Sequence, residues 1–184
     1  VLKTYVDVEG SGQNTTTINC ACSTDIPAVI SATTITAEIR HLTINNTGGG
    51  FLAFGVYTNG VADGSFSMLH VTATATGSTG NYGVYNSSSS PSMNNVTATA
   101  TGGTTGFGVY NFDSSSPSMN NVTATATDGL DNYGVYNVSL SSPSIRNSSI
   151  TGSTNSIVNP GSSSAQVADT ALGGNVTGVG FTCV

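Results

Sequence analysis

Residues 83–101 read GVYNSSSSPSMNNVTATAT, and residues 108–127 read GVYNFDSSSPSMNNVTATAT. A third copy starts at Gly134 as GVYNVSLSSPSIRNSSITGS, and a looser one at Gly55 as GVYTNGVADGSFSMLHVTATAT. The landmarks return every ~25–26 residues, a period that marks solenoids and repeat arrays. Each copy breaks into three extended pieces. The first is an aromatic-Gly-Val-Tyr-Asn piece, as in 82–86 and 107–111. The second is Ser-Pro-Ser-Met, as in 90–93 and 116–119. The third is Val-Thr-Ala-Thr-Ala-Thr, as in 96–101 and 122–127. Val, Thr and Tyr favour strands, while the intervening Gly, Ser, Asn and Pro punctuate them.

Alternation in the third piece puts Val96, Ala98 and Ala100 on one face and Thr97, Thr99 and Thr101 on the other. One copy later, Val122, Ala124 and Ala126 oppose Thr123, Thr125 and Thr127. Met93 and Val96 differ in parity, so both point inward only if the chain bends between them. That bend falls at Asn94-Asn95 and recurs at Asn120-Asn121 and Arg146-Asn147. Asn tolerates left-handed backbone geometry. Asn95, Asn121 and Asn147 are therefore expected to stack as a ladder with their amides inside. Three strands per coil, stacked in parallel ~4.8 Å apart, make an all-β parallel β-helix. The expected organisation is one domain over 1–184. It comprises irregular coils over 1–54, four regular coils over 55–153, and a final coil and cap over 154–184. A short helix within 165–172 is the one exception to strand.

The tight Asn bend between second and third strands resembles the right-handed parallel β-helices of the pectate-lyase-like superfamily. The SSSPSMNNVTATAT core is similar to repeats of uncharacterised bacterial cell-surface β-helix proteins. Residues 1–18 and 38–47 look like early coils of such proteins. The resemblance implies a right-handed fold but not one activity, since this fold hosts lyases, hydrolases, esterases, adhesins and phage spikes. Family members usually begin with a capping helix and one more strand. A start at Val1 without them implies a fragment or a processed chain.

Lyases of the superfamily use a carboxylate cluster for Ca²⁺ and an Arg or Lys base. Its hydrolases present several Asp residues on one sheet. The acids here are Asp7, Glu9, Asp25, Glu38, Asp63, Asp113, Asp128, Asp131 and Asp169. None repeats at one coil position in neighbouring copies. Glycoside hydrolysis needs two carboxyls ~5–9.5 Å apart. Asp7 and Glu9 form the best local pair but lack a basic partner nearby in sequence. Asp128 and Asp131 lie in a turn, where they either meet locally or share a Ca²⁺, or are simply solvated; the solvated reading is preferred. His41 and His70 take the place of Asn95 and Asn121, either as a two-His metal site or as bend residues; the bend reading is preferred. No catalytic residue, metal or cofactor is assigned.

Charged residues are 7% of the chain, against roughly 25% in typical soluble proteins. The net charge is −6, with Lys3, Arg40 and Arg146 as the only strong bases. A nucleic-acid footprint needs clustered bases, so that partner is excluded. No apolar run is long enough for a spanning helix, so membrane insertion is not expected. The Thr/Ser/Asn-rich acidic composition points outside the cell. Sequons such as those at Asn14, Asn86, Asn137 and Asn175 matter only if the source glycosylates.

Two columns are candidate binding surfaces. If Val56, Val84, Val109 and Val135 point inward, Tyr57, Tyr85, Tyr110 and Tyr136 stack outward. That stack either holds carbohydrate or stiffens the rod as a self-stacking ladder. Thr97, Thr99, Thr101, Thr123, Thr125 and Thr127, continued from Thr72, Thr74 and Thr76, form a hydroxyl–methyl grid. The grid resembles the ice-binding faces of β-solenoid antifreeze proteins. Cys20 and Cys22 lie in the early coils and Cys183 in the last, on the order of 25–30 Å away at ~4.8 Å per coil. A disulfide needs Cα atoms within about 7 Å. Cys183 is thus expected to pair with Cys20 or Cys22 of another copy in a head-to-tail stack, to pair downstream, or to stay a buried free thiol. A Cys20–Cys22 bond would close a very small strained ring and is uncommon. The expected function is a non-catalytic, extracellular structural β-helix: a segment of a surface fibre, adhesin or self-assembling filament. The alternatives are a carbohydrate- or ice-binding module and a degenerate polysaccharide-active enzyme.

Overall fold

The computed structural model describes residues 1–22, 27–31 and 35–184; Asp25 lies outside them. The described residues form strands and turns without helix, wound as a parallel β-solenoid of about six turns. Every strand pairs in parallel with its counterpart one coil away, and the registers follow the repeat. Val84 pairs with Val109, Met93 with Met119, and Ala98 with Ala124. Such stacking satisfies each strand's backbone groups from the coils on either side.

The aromatic pieces build a seven-stranded sheet that includes Leu52–Asn59, Gly80–Ser87, Thr105–Phe112 and Asp131–Asn137. The second and third pieces together build a twelve-stranded sheet. They are not always separate strands. Ala37–Asn46, Phe66–Thr76 and Ser92–Thr101 each run unbroken through the bend. Later coils divide there, as in Ser118–Asn120 and Thr123–Thr127. The bend is one residue in the left-handed region, so the pairing resumes immediately. His41, His70, Asn95, Asn121, Asn147 and Asp169 carry it, with φ of 55, 51, 54, 52, 51 and 46°. The helix expected within 165–172 is instead the strands Ala165–Ala168 and Ala171–Leu172, paired on the preceding coil. Ladder pairing outweighs the helix preference of an Ala-containing stretch.

The core is a set of apolar columns. Ile39, Met68, Met93, Met119 and Ile145 stack behind one strand, Leu42, Val71, Val96 and Val122 behind the next, and Val56, Val84, Val109 and Val135 behind the aromatic sheet. All are at most 1% exposed. At about 25 cal/mol per Å² of apolar surface removed from water, these columns are the main stabilising term. Ala73, Ala98 and Ala124 keep the interior narrow beneath the Thr face.

Inside this apolar core runs a polar line. Asn86, Asn111, Asn137 and Asn159 are fully buried, one per coil. Thr58 Oγ1 donates to Asn86 Oδ1 at 2.7 Å, and Asn86 Nδ2 to Asn111 Oδ1 at 2.9 Å. Asn111 Nδ2 donates to Asn137 Oδ1 at 2.7 Å, and Asn137 Nδ2 to Asn159 Oδ1 at 2.6 Å. The line ends where Asn159 Nδ2 reaches the Val179 carbonyl at 3.2 Å. Each amide gives and accepts once along the solenoid axis, so burial leaves the chain of amides paired. A serine line follows at the next corner. Ser89, Ser115 and Ser141 Oγ accept the amides of Val61, Ser89 and Ser115 at 3.0, 3.0 and 3.2 Å.

Candidate functional surfaces

The buried amide ladder is formed by the Asn of the Gly-Val-Tyr-Asn piece, not by the bend asparagines. Asn95 is half-buried, and Asn121 and Asn147 are exposed. The expected internal ladder at the bend is corrected accordingly: the amides lie on the outer surface. They still link coils there. Asn121 Nδ2 donates to Asn95 Oδ1, and Asn147 Nδ2 to Asn120 Oδ1 at 2.9 Å. The physical reason is the left-handed residue itself, which carries its Cβ away from the core while the flanking Met93 and Val96 point in. The demand at this position is therefore backbone conformation. Asn121→Gly is expected to leave stability within about 0.5 kcal/mol, while Asn121→Val costs about 1–2 kcal/mol. Urea denaturation of the two variants checks this; equal losses would show that the amide, not the backbone, matters.

His41 and His70 stack face to face at 5.0 Å with planes 15° apart. Among the described residues, no group of three or more His, Cys, Asp or Glu side chains is placed to hold a metal ion. Both His residues act as bend residues, as their φ values require.

The acids gain a partner that their sequence positions concealed. Arg40, one coil on, bridges Glu9 at 3.0 Å and Glu38 at 2.7 Å. Those two hydrogen bonds hold the guanidinium pKa above its ordinary value. Asp7 Oδ1 accepts the Glu38 amide at 2.8 Å, and Ser67 Oγ donates to Glu38 Oε1 at 3.2 Å. Asp7 and Glu38 border an open groove of about 380 Å³ with Tyr5 and Ser65. The arrangement ties the first coil to the second. Asp128 Oδ2 accepts from its neighbour Thr127, and Asp131 is exposed.

Two aromatic columns, not one, cover the aromatic sheet. Tyr57, Tyr85, Tyr110 and Tyr136 stack with centroids 5.2, 4.9 and 5.6 Å apart. Phe54, Tyr82, Phe107 and Tyr133 stack beside them at 5.1, 4.9 and 5.4 Å. The columns meet edge to face, as between Phe107 and Tyr110 at 4.9 Å and 74°. Strict alternation would send Phe54 inward with Val56. Gly55 and its counterparts Gly83, Gly108 and Gly134 break the parity, so both aromatics emerge on one face. Tyr85 and Tyr110 have a ring against each face, and Tyr136 has Tyr110 on one side with Val158 in register on the other. The columns thus present ring edges and hydroxyls outward. Beside them runs an open groove of about 490 Å³ lined by Leu52, Phe54, Tyr57, Tyr82 and Tyr85.

Packing desolvates the phenols. Burial pushes the Tyr82 hydroxyl up to about 12 and raises those of Tyr85 and Tyr110, with neighbouring tyrosines adding to each shift. These folded-state values exceed the unfolded value near 10. Above that pH the unfolded chain releases protons that the folded one keeps, so stability is intact below about pH 10 and falls as pH rises further. Denaturation followed against pH is expected to show this alkaline loss, with the Tyr82, Tyr85 and Tyr110 phenolates appearing late in the folded state. Titration of these three at the ordinary value in the folded protein would refute it.

The Thr face is in register in two dimensions. Thr72, Thr74 and Thr76 pair with Thr97, Thr99 and Thr101, which pair with Thr123, Thr125 and Thr127. Gln13 Nε2 donates to Thr72 Oγ1 at 3.3 Å, and Thr127 Oγ1 donates to Asp128 at 3.1 Å. The hydroxyls of Thr74, Thr76, Thr97, Thr99, Thr101, Thr123 and Thr125 make no hydrogen bond to another described residue.

Cys20 and Cys22 are bonded to each other, with Cα atoms 5.2 Å apart, and Cys183 is free and exposed. The registers bear on the expected cysteine joint. Cys183 falls in the column of Val167, Ile145, Met119, Met93, Met68, Ile39 and Val8. Cys20 falls in the column of Asn46 and Ala75 beneath the Thr face. A stack that continues the coils would set Cys183 over Val8 of the next copy, not over Cys20 or Cys22. A continuous stack therefore does not by itself bring the expected head-to-tail cysteines together.

Compared with protein-family models, with curated proteins and with solved structures, the chain matches none.

Proposed function

We propose that this chain is a non-catalytic, extracellular structural β-helix of the right-handed, pectate-lyase-like kind: a segment of a surface fibre, adhesin or self-assembling filament. The observation that carries the reading is where the repeated polar and aromatic side chains go. The Asn of each coil pairs with the Asn of the next, and each Tyr stacks on the next Tyr. These Asn and Tyr side chains are engaged along the rod axis, where they stiffen it. End-to-end association belongs to the same reading. Electron microscopy of the purified protein is expected to show rods or end-joined rods. Incubation with pectin, alginate or glucans is expected to release no reducing or unsaturated ends. Turnover abolished by Asp7→Asn or Asp131→Asn would replace this reading with the enzymatic one.

A second reading, a binding module, is favoured by the free hydroxyls of the Thr face. A regular solid surface, ice in particular, would meet an uncharged periodic array of hydroxyls and methyls there. Thermal hysteresis that disappears on Thr99→Lys would support it. Carbohydrate on the Tyr columns would have to bind ring edges and hydroxyls, because neighbouring rings cover the inner faces.

A further inference from the structure

We propose that the Cys20–Cys22 bond is a thiol–disulfide exchange site whose co-substrate is an exposed thiol. Cys20 ends the strand Thr17–Cys20, and Cys22 follows two residues later, so the bond encloses Ala21 alone. It fastens no coil to another. Coil-to-coil attachment here is made by the backbone, with the Thr47 amide donating to the Cys20 carbonyl at 2.8 Å. It is also made by Asn45 Nδ2 donating to Asn19 Oδ1 at 3.1 Å. The stabilisation a disulfide gives by restraining the unfolded chain grows with the loop it closes, and this loop is among the shortest a chain can form. A structural role therefore explains the bond poorly.

Reactivity explains it better. The Cα–Cα distance of 5.2 Å is ordinary for a disulfide, so access and the short tether carry the argument. Accessible disulfides are the exchange-labile ones. Both cysteines are half-buried and Ala21 between them is exposed, so a thiolate has an approach. The chain itself supplies one candidate nucleophile, the free thiol of Cys183. It lies at the far end of the strand order and so comes from a second copy.

The step needs no external oxidant. A thiolate attacks the sulfur of Cys20 or Cys22, a mixed disulfide forms, the Cys20–Cys22 bond breaks, and the other cysteine leaves as a thiolate. That thiolate remains tethered beside the mixed disulfide and can reverse the step. A second external thiolate can instead attack the mixed disulfide, leaving Cys20 and Cys22 as a dithiol and releasing the external thiols as their own disulfide. The number of disulfides is conserved in each step.

The test uses the full chain isolated without reductant, treated with reduced glutathione, quenched with a maleimide and mapped by peptide mass spectrometry. Before treatment, only Cys183 is expected to be labelled. With glutathione, Cys20 and Cys22 become labelled or glutathionylated, with a rate rising about tenfold per pH unit below the glutathione thiol pKa. The Cys20→Ser/Cys22→Ser double variant is expected to melt within a few degrees of the parent. Cys183→Ser separates the sources of thiol. It leaves the glutathione reaction unchanged and abolishes the linked dimers that form when released thiolates are trapped. Absence of dimers in the parent, with glutathione exchange intact, assigns the co-substrate to small thiols. The proposal is overturned if Cys20 and Cys22 are both labelled before reductant is added. It is also overturned if their bond survives glutathione that reduces a small-molecule disulfide, or if the double variant unfolds.

Discussion

Asn111→Leu is expected to destabilise the protein by about 3–5 kcal/mol, although leucine is close in size and belongs in a core. Asn111 accepts from Asn86 and donates to Asn137 at the centre of the buried line. Leucine leaves the Asn86 donor and the Asn137 acceptor without partners, in a place water does not reach. Each unmet buried group costs about 1–3 kcal/mol, and chains of hydrogen bonds polarise one another, so the losses compound. Asn111→Asp separates the two halves of the argument. A carboxylate accepts from Asn86 but offers nothing to Asn137, whereas the protonated acid does both. Burial raises the acid's folded pKa above its unfolded value, so its contribution is present at acid pH and is lost as pH rises through the folded value. Urea denaturation of both variants from acid to neutral pH is the measurement. A leucine variant within about 1 kcal/mol of the parent would mean that the ladder is incidental to stability.

Much of this architecture is legible in the repeat, because a solenoid repeats its contacts as it repeats its sequence. The parity conflict between Met93 and Val96 locates the bend, and the structure puts a left-handed residue there in each regular coil. Which asparagine goes inside was also recoverable. Val84 inward and Tyr85 outward put Asn86 inward by the same alternation that exposes the tyrosines. Read only as the last residue of a strand piece and as part of a sequon, Asn86 gives no hint of the ladder. Only the register shows that its neighbours above and below are also amides and can satisfy it. The second aromatic column was hidden by the alternation rule itself, which fails at Gly83 and its equivalents. The Arg40 pairing with Glu9 spans 31 residues, and that distance along the chain masks adjacency in space.

Function is less legible for a physical reason. Catalytic and metal sites draw on a few residue types in distinctive spacings, whereas the polar residues here are the ordinary outward residues of strands and turns. The same Thr column serves as a neutral outer surface or as a binding grid, and alternation cannot tell these apart. The free hydroxyls of the Thr face become informative only once the hydrogen-bond partners of the other polar columns are known.

Gly108→Ala is expected to cost about 3–5 kcal/mol or to prevent folding, although it adds a single methyl group. A Cβ at Gly108 would sit 2.6 Å from the Gly134 carbonyl oxygen, 2.8 Å from the Thr125 nitrogen and 3.0 Å from the Ala124 carbonyl carbon. All three are backbone atoms fixed in the ladders, so no side chain can swing aside. Gly83 meets the same obstruction, with the Gly108 oxygen and the Thr99 nitrogen both at 2.7 Å. At this column the aromatic strand approaches the backbone of the Thr strand across the solenoid. A methyl group would force the two sheets apart and disturb the neighbouring coil's pairing as well. Gly102→Ala is the control: φ is +75° and nothing lies within 4 Å of the added atom, so only left-handed strain remains, about 1 kcal/mol. The last coil carries its own counter-experiment. Ser156 sits in register with Gly134, and its hydroxyl is buried without a partner. Ser156→Gly should therefore stabilise the protein by up to about 1 kcal/mol, the opposite sign to the change at Gly108. Thermal and urea unfolding of the three variants give the ordering directly. Equal small losses at Gly108 and Gly102 would mean that the coil relaxes around a methyl group, and that the glycine column is there for backbone freedom rather than for space.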